Sequence, residues 1–368
     1  MKTKKKASGR KKTSVNLKRE LWTVRNKWQR AALLLIALWM LFYAQVWVIS
    51  TWYVKKHQNE PLHIGVTFIP DYAEYLGVDP HETLLALRDD LGIKRFRLVS
   101  YWSNIEPAPG QYDFSELDWE FNAVEAAGGQ VSLAIGMRQP RWPECHIPDW
   151  ANNITPAVRQ ADIEKFNKAV IDRYKDRKAL VSYQLENEYF LTVFGQCPKP
   201  SRAYLISEFN AAKAADPKHP IILSLANNYF GVPTGQPRPD QFGISVYKRV
   251  WDQTVTKRYF EYPFSPRYYA WRSGLTELLT GKSSMLHELQ AEPWPPKDVG
   301  IKDASIAEQN KSMDPARLKT RIQYGIDTGY RDLDLWGGEW WYWRKTKLND
   351  PSLWNVIKQE MQQYNSKG

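Results

Sequence analysis

The chain has little of what metal and cofactor chemistry usually requires. It holds two cysteines in 368 residues, Cys145 and Cys197, and no CxxC pair or comparable metal-type spacing. A zinc site of that kind is therefore not expected, and no metal-binding residues are assigned. No GxGxxG fingerprint or phosphate-cradling glycine loop stands out, so no nucleotide or other cofactor is expected. Beyond His57 there is no repeat, no low-complexity linker and no second shift of composition. An excess of charge is also missing from most of the chain. The formal net charge is +11, but residues 1–30 carry twelve Lys/Arg against one acid, Glu20, leaving 39 basic and 39 acidic residues elsewhere. The basicity belongs to a tail, and a nucleic-acid partner is not expected.

What is present begins with a long apolar run. Ala31–Val54 contains no charged residue, and about 20 apolar residues suffice to cross a bilayer core. A buried core helix, a cleaved signal peptide and an uncleaved anchor are the three readings. The long basic region, the overlong apolar core and the lack of a small-x-small cleavage site favour the anchor, with a lipid bilayer as its partner. The tail outweighs Lys55 and Lys56 in positive charge, which places the N-terminus in the cytoplasm and the rest outside, as a single-pass protein. The expected organisation is a basic cytoplasmic tail (1–30), a transmembrane signal-anchor helix (31–54), a linker (55–61) and one large domain (62–368). The short linker, together with entry of the first strand from one face of that domain, predicts that this face lies toward the membrane.

The large domain alternates short apolar runs with amphipathic stretches. Strand-like runs lie at 63–69, 94–100, 130–136, 180–186, 220–226, 242–247, 284–290 and 331–337, with helical stretches between most of them. Pro80, Pro315 and Pro351 each follow an Asp, a good helix-start signal. Strands alternating with helices imply parallel pairing, and eight of them match a closed (β/α)8 TIM barrel. An open doubly wound sheet stays a live alternative, because no helix is evident between the fifth and sixth runs.

In a barrel of this class, polar groups at the C-terminal ends of strands form the active site. The fourth run ends Gln184-Leu185-Glu186-Asn187-Glu188-Tyr189 and the seventh ends Leu286-His287-Glu288-Leu289-Gln290, followed by Glu292. Acids there are costly unless solvated, paired or used. One acid alone is more simply a satisfied barrel-end carboxylate; two strands bearing acids across the ring shift the reading toward function. Strand alternation points Glu186 to the same side as Glu188 but deeper. Seventeen tryptophans are many; indole faces stack well on sugar rings. Any single one is more simply core packing, but the cluster of four in WGGEWWYW (336–343) is too dense for all to pack inward from a loop.

The segment YQLENEY (183–189) resembles the fourth-strand Asn-Glu motif of clan A glycoside hydrolases, closest to the families that contain β-galactosidases. WSNIEP (102–107) and GQYDF (110–114) resemble that clan's segment after strand two. Glu288-Leu289-Gln290 resembles its strand-seven nucleophile region, and Trp336 its strand-eight tryptophan. The resemblance implies a retaining mechanism on an oligo- or polysaccharide, with Glu188 as acid/base and Glu288 as nucleophile, about 5–5.5 Å apart. It assigns Asn187 to the sugar 2-hydroxyl and Arg97 to the support of Glu288. Tyr247, ending the sixth run, is placed to donate to the same carboxylate, and Trp102, Trp294 and Trp336, at or just after strand ends, are candidate substrate-binding faces. Glu186 is read as a supporting group or a ligand for sugar hydroxyls, and Glu292 is a rival nucleophile. Glu339 is a further substrate-binding or structural acid. The stretch just after strand three, Gly136 to Trp142, lacks the histidine that some clan members use there, and Tyr247-Lys248-Arg249 follows strand six in place of a His-x-Tyr arrangement, so the sugar stays open; Arg138, Arg141, Lys248 and Arg249 would suit an acidic or decorated glycan. Glycans outside the cell or in its envelope are the expected substrates. A tethered, non-catalytic glycan binder and an envelope transglycosylase are the alternatives. Cys145 and Cys197 fall in neighbouring loops of one barrel face, within reach of a disulfide if their Cα atoms approach to 4.4–6.8 Å.

Overall fold

The computed structural model describes residues 11–365 except 228 and 230, and side chains from 26 to 364 apart from those two. Part of the basic tail, residues 1–10, lies outside the described residues, as do the tail side chains up to 25. Two compact units divide at Ile49/Ser50.

The first unit is most of helix α1, Lys11–His57. Its segment Asn26–His57 has a mean hydropathy of 2.2 and is long and apolar enough to cross a membrane. Leu33, Leu35 and Trp39 in it are each about two-thirds exposed (66%, 67% and 65%). A helix apolar on all sides and unburied calls for an apolar surrounding.

The second unit begins with the last two turns of α1. Ser50, Tyr53 and His57 recur at helical spacing and are buried. The Tyr53 hydroxyl donates to the Ser284 carbonyl at 3.5 Å, the Tyr53 ring meets Tyr330 edge-on, and His57 Nε2 lies 2.9 Å from Glu277. Residues 50–57 are thus a docked helix end, and 58–62 connect it to the first strand. The apolar run is continuous in sequence, and the point where exposed residues give way to packed ones leaves no mark in composition.

Eight parallel strands close a barrel: β1 (His63–Thr67), β2 (Arg95–Val99), β3 (Gln130–Ile135), β4 (Leu180–Leu185), β5 (Ile221–Leu225), β6 (Gln241–Val246), β9 (Ser283–Gln290) and β10 (Asp332–Trp336). β1 pairs with both β2 and β10, which excludes the open sheet. No described helix separates β5 from β6; a small hairpin, β7 (Arg249–Trp251) with β8 (Tyr259–Glu261), follows β6 instead. Helix starts follow the Asp-Pro signals. Asp79 accepts from Glu82 N at 2.8 Å and Asp314 from Arg317 N at 2.9 Å, satisfying amides that the helix leaves open.

The barrel interior is unusually polar. Arg95 Nε donates to Asp334 at 2.9 Å, and the His287 ring sits beside Gly243, where a Cβ would come within 2.6 Å of it. The register of β9 shifts at this point: Leu286 pairs with Ile244, but Glu288 pairs with the next residue, Ser245. Leu286 and Leu289 both reach outward to the helix at Gly325. The bulge thus lets two consecutive residues, His287 and Glu288, face inward.

Candidate active site

The mouth of the barrel holds the two acids at the ends of β4 and β9. Glu288 is 4% exposed. It accepts from Arg97 Nη1 at 2.9 Å through one oxygen and from the Tyr247 hydroxyl at 2.7 Å through the other. Arg97 is fully buried in β2 and also donates to Gln184 (2.7 Å), Asn187 (3.0 Å), the His287 carbonyl (3.3 Å) and Thr67 (3.5 Å). One guanidinium thus fixes groups from β4 and β9 together, the planar fork being suited to that task.

Asn187 Oδ1 also accepts from Gln184 Nε2 at 2.9 Å and Ser224 Oγ at 3.2 Å. Its Nδ2 donates to Glu144 at 3.1 Å. Glu188 keeps partial solvent access, and its amide donates to Ser224 Oγ at 2.7 Å. Burial of its carboxyl and the charge of Glu288 push it up to about 8, opposed by the Ser245 hydroxyl. Chemically, the site offers one acid held in an ion pair beside a second that stays protonated at neutral pH.

Glu186 departs from the expected geometry. Both Glu186 (φ 56) and Glu188 (φ 44) are left-handed, so strand alternation stops at Leu185. Glu186 turns away from the mouth and accepts from Met137 N (2.7 Å) and Arg138 N (2.9 Å). Burial raises it to about 7, and its neighbour there is Glu208 rather than Glu188.

The aromatic expectations divide. Trp294 lies edge-on to Tyr247 with ring centroids 5.1 Å apart, beside the acids and partly exposed. Trp336 donates through Nε1 to Glu292 at 2.7 Å, and the Arg141 guanidinium covers its ring at 4.5 Å. Trp102 is not in the site: it is fully buried, donates to Glu106 at 2.6 Å and packs on Trp150 and Phe166. The expectation for WGGEWWYW is also corrected. Gly338–Lys347 is a helix packed against other helices, not a loop, and Trp336, Trp340, Trp341 and Trp343 are all buried. Trp340 and Trp341 still satisfy their N–H groups, on Gln309 (2.9 Å) and the Ala291 carbonyl (2.8 Å).

The other acids are spoken for. Glu292 accepts from Tyr72 OH, Arg141 and Trp336, and Glu339 accepts from Ile69 N at 2.5 Å. The basic groups that suggested an acidic glycan are engaged by the protein: Arg138 donates to the Leu191 and Phe194 carbonyls, Arg141 to Glu292, Lys248 to the Tyr262 and Phe264 carbonyls, and Arg249 to that of Lys311. Cys145 and Cys197 form a disulfide with Cα atoms 5.2 Å apart. Sequence reasoning missed Glu144, Gln184 and Ser224. The inward alternation of Ser182 and Gln184 in β4 was a usable signal for the second; for Glu144, in an irregular loop, there was none.

Residues 81–215 match the family model described as beta-galactosidase of the Glyco_hydro_42 type, a stretch that includes Asn187 and Glu188. The curated beta-galactosidase BgaA of Clostridium cellulovorans is 24% identical over 169 residues, covering 40% of this chain and 25% of BgaA. The chain thus spans a quarter of that relative's length. Among solved structures, a GH5_18 protein from Streptomyces cattleya, in complex with GlcNAc, superposes with a TM-score of 0.55 at 12% identity, over 75% of this chain and 70% of that one. The exo-beta-1,4-mannosidase Op5Man5 from Opitutaceae bacterium strain TAV5 gives 0.52 at 16% identity, over 75% and 51%. Gan42B, a GH42 beta-galactosidase, gives 0.52 at 15%, over 83% and 57%. The fold shared with these is the eight-stranded glycosidase barrel.

Proposed function

We propose that the chain is a retaining glycoside hydrolase of the clan A type, with Glu288 as nucleophile and Glu188 as acid/base. One observation carries the reading: a single guanidinium, Arg97, holds Glu288 and Asn187, while the adjacent Glu188 is pushed up to about 8 by burial and by the charge of Glu288. Two acids in opposed electrostatic settings divide the labour that retention requires.

In the first step a Glu288 oxygen attacks the anomeric carbon while the Glu188 proton passes to the departing glycosidic oxygen. Forming the ester removes the charge of Glu288. The repulsion that raised Glu188 disappears, and Glu188 becomes the base that takes a proton from the incoming water. Tyr247 and Arg97 keep Glu288 aligned throughout. The β-galactosidase resemblance makes β-galactosides the first substrates to test. Hydrolysis of an aryl β-glycoside, followed by NMR of the first-formed sugar anomer, checks the mechanism: retention supports it, and inversion rejects it.

The placement is a membrane-anchored one, with α1 crossing the bilayer, the basic tail in the cytoplasm and the barrel outside, acting on extracellular or envelope glycans. The hydropathy of α1, the charge of the tail and a disulfide in the barrel support this reading. Membrane fractionation with protease protection of the barrel tests it; a barrel recovered in the soluble cytosolic fraction would reject it.

A further inference from the structure

The mouth holds a third carboxyl group, Glu144, to which the double-displacement chemistry gives no role. It sits in the loop after β3, 4% exposed, in a left-handed conformation (φ 71). Its amide donates to the Arg141 carbonyl at 2.7 Å and its own carbonyl accepts from Gln139 N at 2.8 Å. The adjacent Cys145 is bonded to Cys197 in the loop after β4. The side chain is therefore aimed by a tight turn and by a covalent tie between the two loops that flank Asn187.

Its carboxylate meets the Asn187 amide. Asn187 Oδ1 is used by three protein donors, Arg97, Gln184 and Ser224. Asn187 can address a ligand only through Nδ2, and one hydrogen of that group points to Glu144 Oε2. Arg138 Nε lies 3.6 Å from the same oxygen. The other oxygen, Oε1, takes a hydrogen bond from no group among the described residues. Burial and the charge of Glu288 raise Glu144 to about 7, which places it within the field of the nucleophile.

We propose that Glu144 joins Asn187, which the family resemblance already assigns to the sugar 2-hydroxyl, in reading the C2 hydroxyl of the sugar seated on Glu288: Asn187 donates its remaining N–H to the hydroxyl oxygen, and Glu144 accepts a hydrogen bond from the hydroxyl. This rests on the assignment of Glu288 as nucleophile, which places the neighbouring C2 substituent beside Asn187. A hydroxyl held from both sides has its donor and acceptor capacity used at once, and a 2-deoxy sugar would leave the second Glu144 oxygen and the second Asn187 N–H without that partner. Glu144 is on this account a specificity-determining residue, absent from the alternation that made the other site residues readable.

The test uses the full-length protein and dinitrophenyl β-galactoside, β-glucoside and β-mannoside, each with its 2-deoxy counterpart. For the best of the three, the ratio of kcat/KM between the hydroxyl and 2-deoxy forms is compared in wild type, Glu144→Gln and Glu144→Ala, with thermal melting as a check on folding. The expected result is a ratio that falls about tenfold to a hundredfold in both variants, the range for losing a hydrogen bond to a charged group. Equal losses on both forms, or no change in ratio, would mark Glu144 as a structural partner of Asn187 and overturn the proposal while leaving the glycosidase reading intact. Should one variant fail to fold, the other decides. Failure of wild type to hydrolyse any of the glycosides would remove both.

Discussion

Two acids separated by a single asparagine end in different worlds. Glu188 faces the barrel mouth, beside Glu288 and Ser224. Glu186 faces the back, where its carboxyl, Gln160, Glu208 and the Cys145–Cys197 disulfide line a cavity of about 160 Å³. Both are buried away from the ordinary glutamate range, to about 8 and about 7. A raised pKa therefore does not single out the functional group; the partners do. Glu188 has an ion-paired acid across from it, whereas Glu186 is clamped by two backbone amides and Gln160 donates to its neighbour Glu208 at 3.0 Å. On the proposed mechanism the first arrangement supplies a transferable proton, while the second ties the end of β4 to the loop after β3.

The comparison breaks most sharply in activity. Glu288→Ala should lower kcat by about ten-thousand-fold or more, with sodium azide restoring turnover as a glycosyl azide of inverted configuration. Glu188→Gln should cost about a hundred- to ten-thousand-fold, the usual worth of a general acid. Glu186→Gln should cost less than about tenfold, since its carboxyl makes no contact with the mouth. A large loss on Glu186→Gln with the fold intact, measured by steady-state kinetics on an aryl glycoside, would erase the distinction.

Next comes the tie between the two regions. Replacing Cys145 and Cys197 by serine opens the link between the loops after β3 and β4, and should destabilise the barrel by about 2–4 kcal/mol, seen as a lower urea midpoint. Activity should fall as well, because Glu144 and Asn187 depend on those loops.

The pH profile sharpens the contrast. On the proposed mechanism Glu188 must hold its proton to protonate the leaving group, so kcat/KM should decline as pH rises through about 8. Glu186→Gln should leave that alkaline limb in place. A shift of the limb in this variant would mean that the wrong acid had been assigned.

The smallest effect is on stability. Glu186 binds its proton more tightly when folded than when unfolded, since its native value is raised to about 7. Raising pH from about 4.5 ionises the unfolded chain first, so the fold loses stability across that window up to about 7. Glu186→Gln removes this loss. Its unfolding free energy should gain on wild type at pH 8, by on the order of 1 kcal/mol, and not at pH 4, seen as a higher melting temperature only at the higher pH.

Much of this architecture was legible before any coordinates. Alternating β and α patterns located all eight barrel strands, and the Asp-Pro signals located helix starts at Pro80 and Pro315. Asn187, Glu188 and Tyr247 lie just past the ends of β4 and β6, and Arg97 and Glu288 lie within β2 and β9; their proposed roles came from the family resemblance more than from position. What was not legible followed from local backbone departures. Two left-handed residues after Leu185 sent Glu186 to the wrong side of the strand for an alternation argument. The bulge in β9 turned both His287 and Glu288 inward. Trp336 to Trp343 read as a crowded loop but form a strand end and a buried helix, and Trp102 is core because its short helix folds under Trp150. Glu144 depended on contacts between loops, which have no periodicity to read.

The most direct measurement is to trap the glycosyl-enzyme with an activated 2-deoxy-2-fluoro β-galactoside and map the modified peptide by mass spectrometry. The account predicts a single added sugar, on Glu288, released slowly with retention of configuration. A label on Glu292 or Glu188 instead, or an enzyme that hydrolyses β-galactosides with inversion, would contradict it.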